Sequence, residues 1–129
     1  MDTRTKILTP EQALELGERL RNQGRRVAAL AGTFDVLLAE TAGRIAGAVA
    51  GYDVAIAVVG DGADELLPRS ARAELAAGLR AIDWVVALDN DAHKAFLDRL
   101  APDAIVSETG SHTAATAGLI AHVQRRQSN

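Results

Sequence analysis

The sequence predicts an α/β domain built on a mostly parallel sheet, and three observations lead there. Short apolar runs recur at 27–31, 54–59, 84–88 and 104–106, lengths that suit strands covered on both faces. Segments with apolar residues at helical spacing separate these runs. The two kinds alternate along the chain, as strands joined by helical crossovers do. No internal repeat, low-complexity tract or linker interrupts the alternation, so residues 1–129 are read as one domain.

Composition narrows the class. The chain is 48% hydrophobic but only 3% aromatic, so its core must be built from Ala, Val, Leu and Ile. That aliphatic share argues against disorder. A net charge of −3 and a pI near 5.5 give no reason to expect general nucleic-acid affinity. There is no Cys, which excludes disulfides and thiolate chemistry. The N-terminus carries Asp2, Arg4 and Lys6 and reaches Pro10 without a long apolar segment, and no run approaches the ~18 residues of a membrane span. A cytoplasmic protein is expected.

Taken in order, Thr9-Pro10-Glu11-Gln12 starts a helix: Thr9 caps it, Pro10 suits the first position and Gln12 completes a capping box. Ala13, Leu16 and Leu20 form its apolar stripe, and Gln23-Gly24 stops it. The run 27–31 is the first buried strand. It turns through Gly32-Thr33-Phe34-Asp35 into a helix whose apolar face is Leu38, Ala42, Ile45, Ala46 and Val49, ending near Gly51. Strand, glycine turn, helix is a unit in which free N–H groups and a partial positive charge can meet an anion.

The second strand, 52–59, runs into Gly60-Asp61-Gly62, a turn expected beside the Gly32 turn because ligands gather outside the carboxyl ends of parallel strands. Asp61 and Asp64 either hold a ribose hydroxyl or metal, or are solvated turn residues. Arg69 and Arg72 are the nearest cations. Arg69 is a phosphate contact or a solvated helix-start residue. A helix over 69–80 turns Leu75 and Leu79 inward, with Ile82 beyond it. Asp89-Asn90-Asp91 then makes a turn before a helix over 92–100, with His93 exposed in its first turn. Pro102-Asp103 breaks that helix, and 104–106 is a short fourth strand. Ser107-Glu108-Thr109-Gly110 is a loop. Ser111 and Thr113 begin the last helix, where hydroxyls either cap or bind phosphate oxygens. His112 is placed near the pocket, whereas His122 covers surface.

Gly32-Thr33-Phe34-Asp35 followed by a helix resembles the G-x-F-D-x-x-H-x-G-H motif of the cytidylyltransferase-like nucleotidyltransferases. The flanks resemble the heptose-phosphate adenylyltransferases in particular: Lys6-Ile7-Leu8-Thr9, Gln23-Gly24, Asp83-Trp84-Val85-Val86 and Leu100-Ala101-Pro102-Asp103, in the same order. Arg72-Ala73-Glu74 resembles the family's R-A-E helix start. The resemblance implies a three-layer Rossmann-like nucleotidyltransferase fold with a mostly parallel sheet. It also implies a nucleotide site at Gly32, Thr33, Phe34 and Asp35, with Asp61, Arg69, Ser111 and Thr113 as further candidates. ATP or CTP with Mg²⁺ is the ligand so implied, a sugar phosphate the acceptor, and a homodimer the assembly; no resident metal site is predicted.

The chain departs from the motif where the family's chemistry is done. Leu38 and Thr41 stand in place of the two histidines, and Glu40 in place of the glycine between them. Losing one pre-organised donor to a transition-state charge costs roughly 10²–10³ in rate. A carboxylate about 4 Å from a phosphate charge adds repulsion of roughly 4 kcal/mol at an effective dielectric near 20. Structurally the replacements are unremarkable, since Leu38 extends the apolar stripe and Glu40 is spaced to pair with Arg44. The segment after the second strand is shortened, and 107–110 lacks the K-G-G-D-Y type loop. The expectation is a nucleotidyltransferase-like domain that has lost catalysis and kept a nucleotide or sugar-phosphate pocket or an association role. Two alternatives stand beside it: an active adenylyl- or cytidylyltransferase using Arg69, Ser111 or His112, and a ligand-free oligomerisation module.

Overall fold

The computed structural model describes residues 3–34, 39–61 and 67–108, with the backbone alone at 3, 39–41 and 108. A 3-10 turn at Thr3–Lys6 leads into β1 (Ile7–Leu8) and α1 (Pro10–Asn22). Then follow β2 (Val27–Gly32), α2 (Ala39–Val49), β3 (Val54–Val59), α3 (Arg69–Ala77), β4 (Trp84–Ala87), α4 (Asn90–Leu100) and β5 (Ala104–Glu108). The strands lie in the order β1-β4-β3-β2-β5, and every neighbouring pair is parallel.

Strand alternation builds the two cores. Successive side chains of a strand point to opposite faces. Ala28 and Leu30 of β2, with Ala55, Ala57 and Val59 of β3, therefore share one face with Ile45 and Val49 of α2 and Ala73, Ala76 and Ala77 of α3. Val27, Ala29, Val54, Ile56 and Val58 take the other face, under Ala13 and Leu20 of α1 and Phe96 and Leu100 of α4. Helices thus cover both sides, and the three layers follow. The abundance of alanine at the helix–sheet contacts is what the low aromatic content requires.

The capping chemistry is as expected at α1. The Thr9 hydroxyl accepts from Gln12 N–H at 3.1 Å while the Gln12 side chain accepts from Thr9 N–H at 2.9 Å. Gly24, just past the helix, has φ 73°, a conformation that strains any residue with a side chain.

Several expectations need correction. β1 is too short to stand out as an apolar run; it is held as an edge by pairing Ile7 with Val85 and Leu8 with Val86. Lys6 supports it by donating from Nζ to the Ile82 and Leu79 carbonyls at 2.8 and 3.3 Å. Helix α3 stops at Ala77, not Arg80, because Gly78 closes it by donating to the Glu74 and Leu75 carbonyls. Leu75 is exposed: Arg72, Ala73, Ala76 and Ala77 take the inward face. Ala46 is exposed too, since the turn of α2 that reaches the sheet is Ile45 and Val49. Strand β5 runs on to Glu108, in register with Gly32 of β2.

Candidate functional site

The chain steps from β2 to β3 to β4 in one direction and then crosses back to place β5 on the far side of β2. That reversal marks the crevice outside the carboxyl end of β2 as the place where an open parallel sheet binds ligands. Gly32 and Gly60 meet there: Gly60 N–H donates to the Gly32 carbonyl at 2.9 Å. The expectation that the two glycine turns adjoin is met.

Arg72 ties the crevice together. It arrives from the first turn of α3 and is only 1% exposed. Its Nε donates to the Leu67 carbonyl at 3.0 Å, and Nη1 donates to the Thr33 carbonyl at 3.1 Å and to the Gly60 carbonyl. Nη2 donates to Asp61 Oδ1 at 2.8 Å. One buried guanidinium therefore joins the turn after β2, the end of β3 and the entry to α3. Its burial is tolerable because carbonyls and a carboxylate replace the water it gave up. The sequence carried a sign of this: Arg72 shares the buried helical face of Ala73, Ala76 and Ala77, a position where an arginine needs internal partners.

Asp61 is held from three directions. Arg69 donates to both carboxylate oxygens, from Nε to Oδ1 at 3.0 Å and from Nη2 to Oδ2 at 2.5 Å, while Arg72 shares Oδ1. The Asp61 backbone is clasped by Asn90, whose Oδ1 accepts from Asp61 N–H at 3.0 Å and whose Nδ2 donates to the Asp61 carbonyl at 2.8 Å. The hydrogen bonds from Arg69, and then from Arg72, hold the Asp61 carboxyl well below the usual carboxylate range, although desolvation opposes them. Among the described residues two guanidiniums face one carboxylate where α3 begins. Its N-cap is Pro68, which offers no side-chain acceptor, and its first turn holds no acid. Cations at a helix N-terminus are disfavoured by the helix dipole, and Asp61 supplies the missing anion.

Phe34 turns the chain with φ 54°, left-handed backbone that costs a non-glycine residue roughly 1–2 kcal/mol. Its ring, 2% exposed, packs in the cluster of Leu30, Ile45, Val59 and Val106, and that burial offsets the strain. Phe34 thus shapes the turn from beneath, while the Thr33 backbone lies at the crevice. His93 differs from its expected exposure: it is partly buried, and its Nε2 is a buried atom without a hydrogen-bond partner. It lies against the Gly60 backbone, where a Cβ would come within 2.7 Å of Nε2 and 2.9 Å of Asn90 Oδ1. Close approach, not backbone conformation, is what demands glycine there.

Asp35, Leu38, Asp64, Ser111, His112, Thr113 and His122 lie outside the described residues, as do the side chains of Glu40 and Thr41. Among the described residues no cluster of His, Asp or Glu is arranged to hold a metal ion. None of their helices is long and apolar enough to cross a membrane. Two clefts open at the other end of the sheet, by the amino ends of the strands. One, of about 390 Å³, is walled by Arg19, Arg25, Asp53, Asp83 and Trp84, and the other, of about 200 Å³, by Arg21, Arg26 and Asp103. Their carboxylates serve the backbone of neighbouring strands, so concavity there is a by-product of strand starts.

Similarity to known proteins bears on the fold. No protein-family model matches the chain. The chain is 32% identical over 109 residues to the Bifunctional protein HldE of Alcanivorax borkumensis, an alignment covering 78% of this chain and 23% of that protein. It therefore spans about a quarter of the length of the curated relative it matches. The crystal structure of the lipopolysaccharide core biosynthesis protein from Thermoplasma volcanium superposes with a TM-score of 0.58 at 18% identity, over 64% of this chain and 73% of that one. The fold is the Rossmann-like nucleotidyltransferase fold. The sequence likeness supports a cytidylyltransferase-like family, and the structural likeness supports the fold.

Proposed function

We propose that this chain is a cytidylyltransferase-related, nucleotidyltransferase-like domain that binds a nucleotide or sugar phosphate at the carboxyl ends of β2 and β3 and has lost the power to transfer it. One observation carries the binding half. The Gly32–Thr33 turn, the Gly60–Asp61 turn and the start of α3 are drawn together by Arg72, which gathers two glycine turns and a helix start at the reversal point of the sheet. The loss of catalysis rests on the residue types: an aliphatic chain, an acid and an alcohol at Leu38, Glu40 and Thr41. None can donate a positive hydrogen bond to a phosphate under attack.

Thermal-shift titration with ATP and CTP tests the binding. A ligand that meets only the folded state stabilises it by roughly 2.7 kcal/mol at a hundred times its dissociation constant, so the midpoint should climb with concentration. A midpoint indifferent to both nucleotides would leave only the ligand-free module. Catalysis is tested separately by pyrophosphate release from ATP or CTP with heptose or glycerol phosphates. No release is expected, and clear turnover would return the active-transferase reading. The triple change Leu38→His, Glu40→Gly and Thr41→His should strengthen nucleotide binding if these positions alone have decayed.

A further inference from the structure

Asp61 is gripped by two arginines that lie at unequal depths. Arg72 is the deep one: it is 1% exposed and bound to the Leu67, Thr33 and Gly60 carbonyls besides Asp61. Arg69 sits at the rim, its side chain 38% exposed, and presents the flat edge of its guanidinium to both oxygens of Asp61. Two donors side by side on two oxygens is the arrangement by which arginine also grips a phosphate. The Asp61 side chain is 29% exposed, so solvent and solutes reach the pair.

We propose that Asp61 is an internal competitor for Arg69: its carboxylate occupies the guanidinium edge that a phosphate group takes, and an anionic ligand binds by exchanging with it. The inference rests on the binding reading above and reverses the expected part of Asp61, from ligand contact to ligand mimic. The exchange keeps the fold intact. Asp61 retains the Arg72 Nη2 bond and the two backbone bonds to Asn90 when Arg69 leaves, so only side chains rotate. The ligand in turn relieves the exposed start of α3, which has two arginines and no acid of its own. Phosphate-bearing ligands are the class selected, because their oxygens match the arginine edge and carry more charge than the carboxylate they replace.

Calorimetric titration of inorganic pyrophosphate into wild type, Asp61→Asn, Arg69→Gln and the double variant tests this. A site open in about one molecule in ten carries an apparent dissociation constant about tenfold above its intrinsic one. Asp61→Asn should therefore bind about tenfold more tightly than wild type, and adding Arg69→Gln should abolish the gain. Equal or weaker binding by an Asp61→Asn protein of native circular dichroism would overturn the competition while leaving the nucleotide reading in place. No heat with any of the four proteins would overturn both. A second measurement uses wild type alone, in case a variant fails to fold. In the ¹⁵N spectrum of arginine Nε groups, pyrophosphate should move the Arg69 signal and leave that of Arg72. An unmoved Arg69 signal at saturation contradicts the exchange.

Discussion

At the scale of single residues, the candidate site depends on one buried cation and one close approach. Arg72→Met removes the donor from carbonyls of three separate segments and leaves Asp61 with one arginine. Breaking a buried ionic network from one side costs about 3–5 kcal/mol, so this variant should unfold at markedly lower urea while Arg69→Met stays near wild type. Gly60→Ala would press a methyl onto His93 and Asn90. Asn90 can yield only by loosening its hold on Asp61, so a loss of about 1–3 kcal/mol is expected, partly recovered in Gly60→Ala/His93→Ala. Acid sensitivity has a definite sign here. The folded-state pKa of Asp61 lies below the ordinary 3.8, so its contribution is complete above that value and is lost as pH falls toward the folded one. Between about pH 5 and pH 3, wild type should therefore lose more stability than Asp61→Asn does, as followed by urea midpoints across that range. Part of this geometry is legible in the sequence: Gly32, Gly60 and Asp61 follow from turn chemistry after strands and Arg69 from being the nearest cation, and the structure joins Gly32 to Gly60 and Arg69 to Asp61. What Asp61 binds was not legible, because its partners sit eight and eleven residues on, and only the tertiary fold decides that a carboxylate faces arginines instead of a ligand. The partial burial of His93 is hidden for the same reason: a first-turn helical position looks exposed until the end of β3 is laid beside it.

At the scale of elements, one device recurs at the strand starts. Asp53, Asp83 and Asp103 each immediately precede a strand, and each accepts from a backbone N–H in the neighbouring strand or just before it: Arg26 at 2.7 Å, Ala55 at 2.8 Å and Val27 at 2.6 Å. Each also donates its own N–H to a carbonyl there, of Arg26, Ala55 and Val27 in turn. The reciprocal pair extends the ladder by one rung beyond the regular strand and fixes register at the end where the chain enters. Replacing the acceptor by Ala leaves that N–H to water, since the three aspartates are exposed. The expected loss is about 1 kcal/mol apiece in thermal or urea unfolding, with the Asn variants retaining most of the wild-type stability. The aspartates were visible in the sequence as Tyr-Asp-Val, Ile-Asp-Trp and Pro-Asp-Ala, but a single acid before an apolar run reads equally as a turn residue. Strands β2 and β3 and helices α1 and α4 were legible because their runs are long or their caps distinctive. Strand β1 was not. Two residues have no periodicity, and their conformation comes from the edge of β4. Helix α3 is shorter than its apolar spacing suggests for a local reason, the glycine at 78 outweighing the leucines that continue the apparent stripe.

At the scale of the whole molecule, stability and binding are set at different depths of the same sheet. β3 is buried along its whole length and β2 along most of its own, whereas β1 is a two-residue edge. Amides of central strands open only with the global transition, and edges open locally at lower cost. Hydrogen exchange should therefore be slowest through β2 and β3 and fast at Ile7 and Leu8. This gradient gives a way to locate a ligand without a crystal. A ligand that binds the folded state slows the globally exchanging amides uniformly, by the factor its binding adds to stability. Amides that open locally gain protection only where the ligand sits. With ATP or CTP, such local protection should appear at Gly32–Thr33 and Gly60–Asp61, and at the first turn of α3, but not at residues 23–26, 53 or 83 beside the amino-end clefts. The local arginines attract the ligand's phosphates, so the effect should weaken as salt screens them, with screening of the whole chain's charge of −3 offsetting part of that loss. Protection confined to the amino-end clefts would place binding at the wrong end of the strands, and the assignment of the Gly32 crevice would fall even though the fold remained.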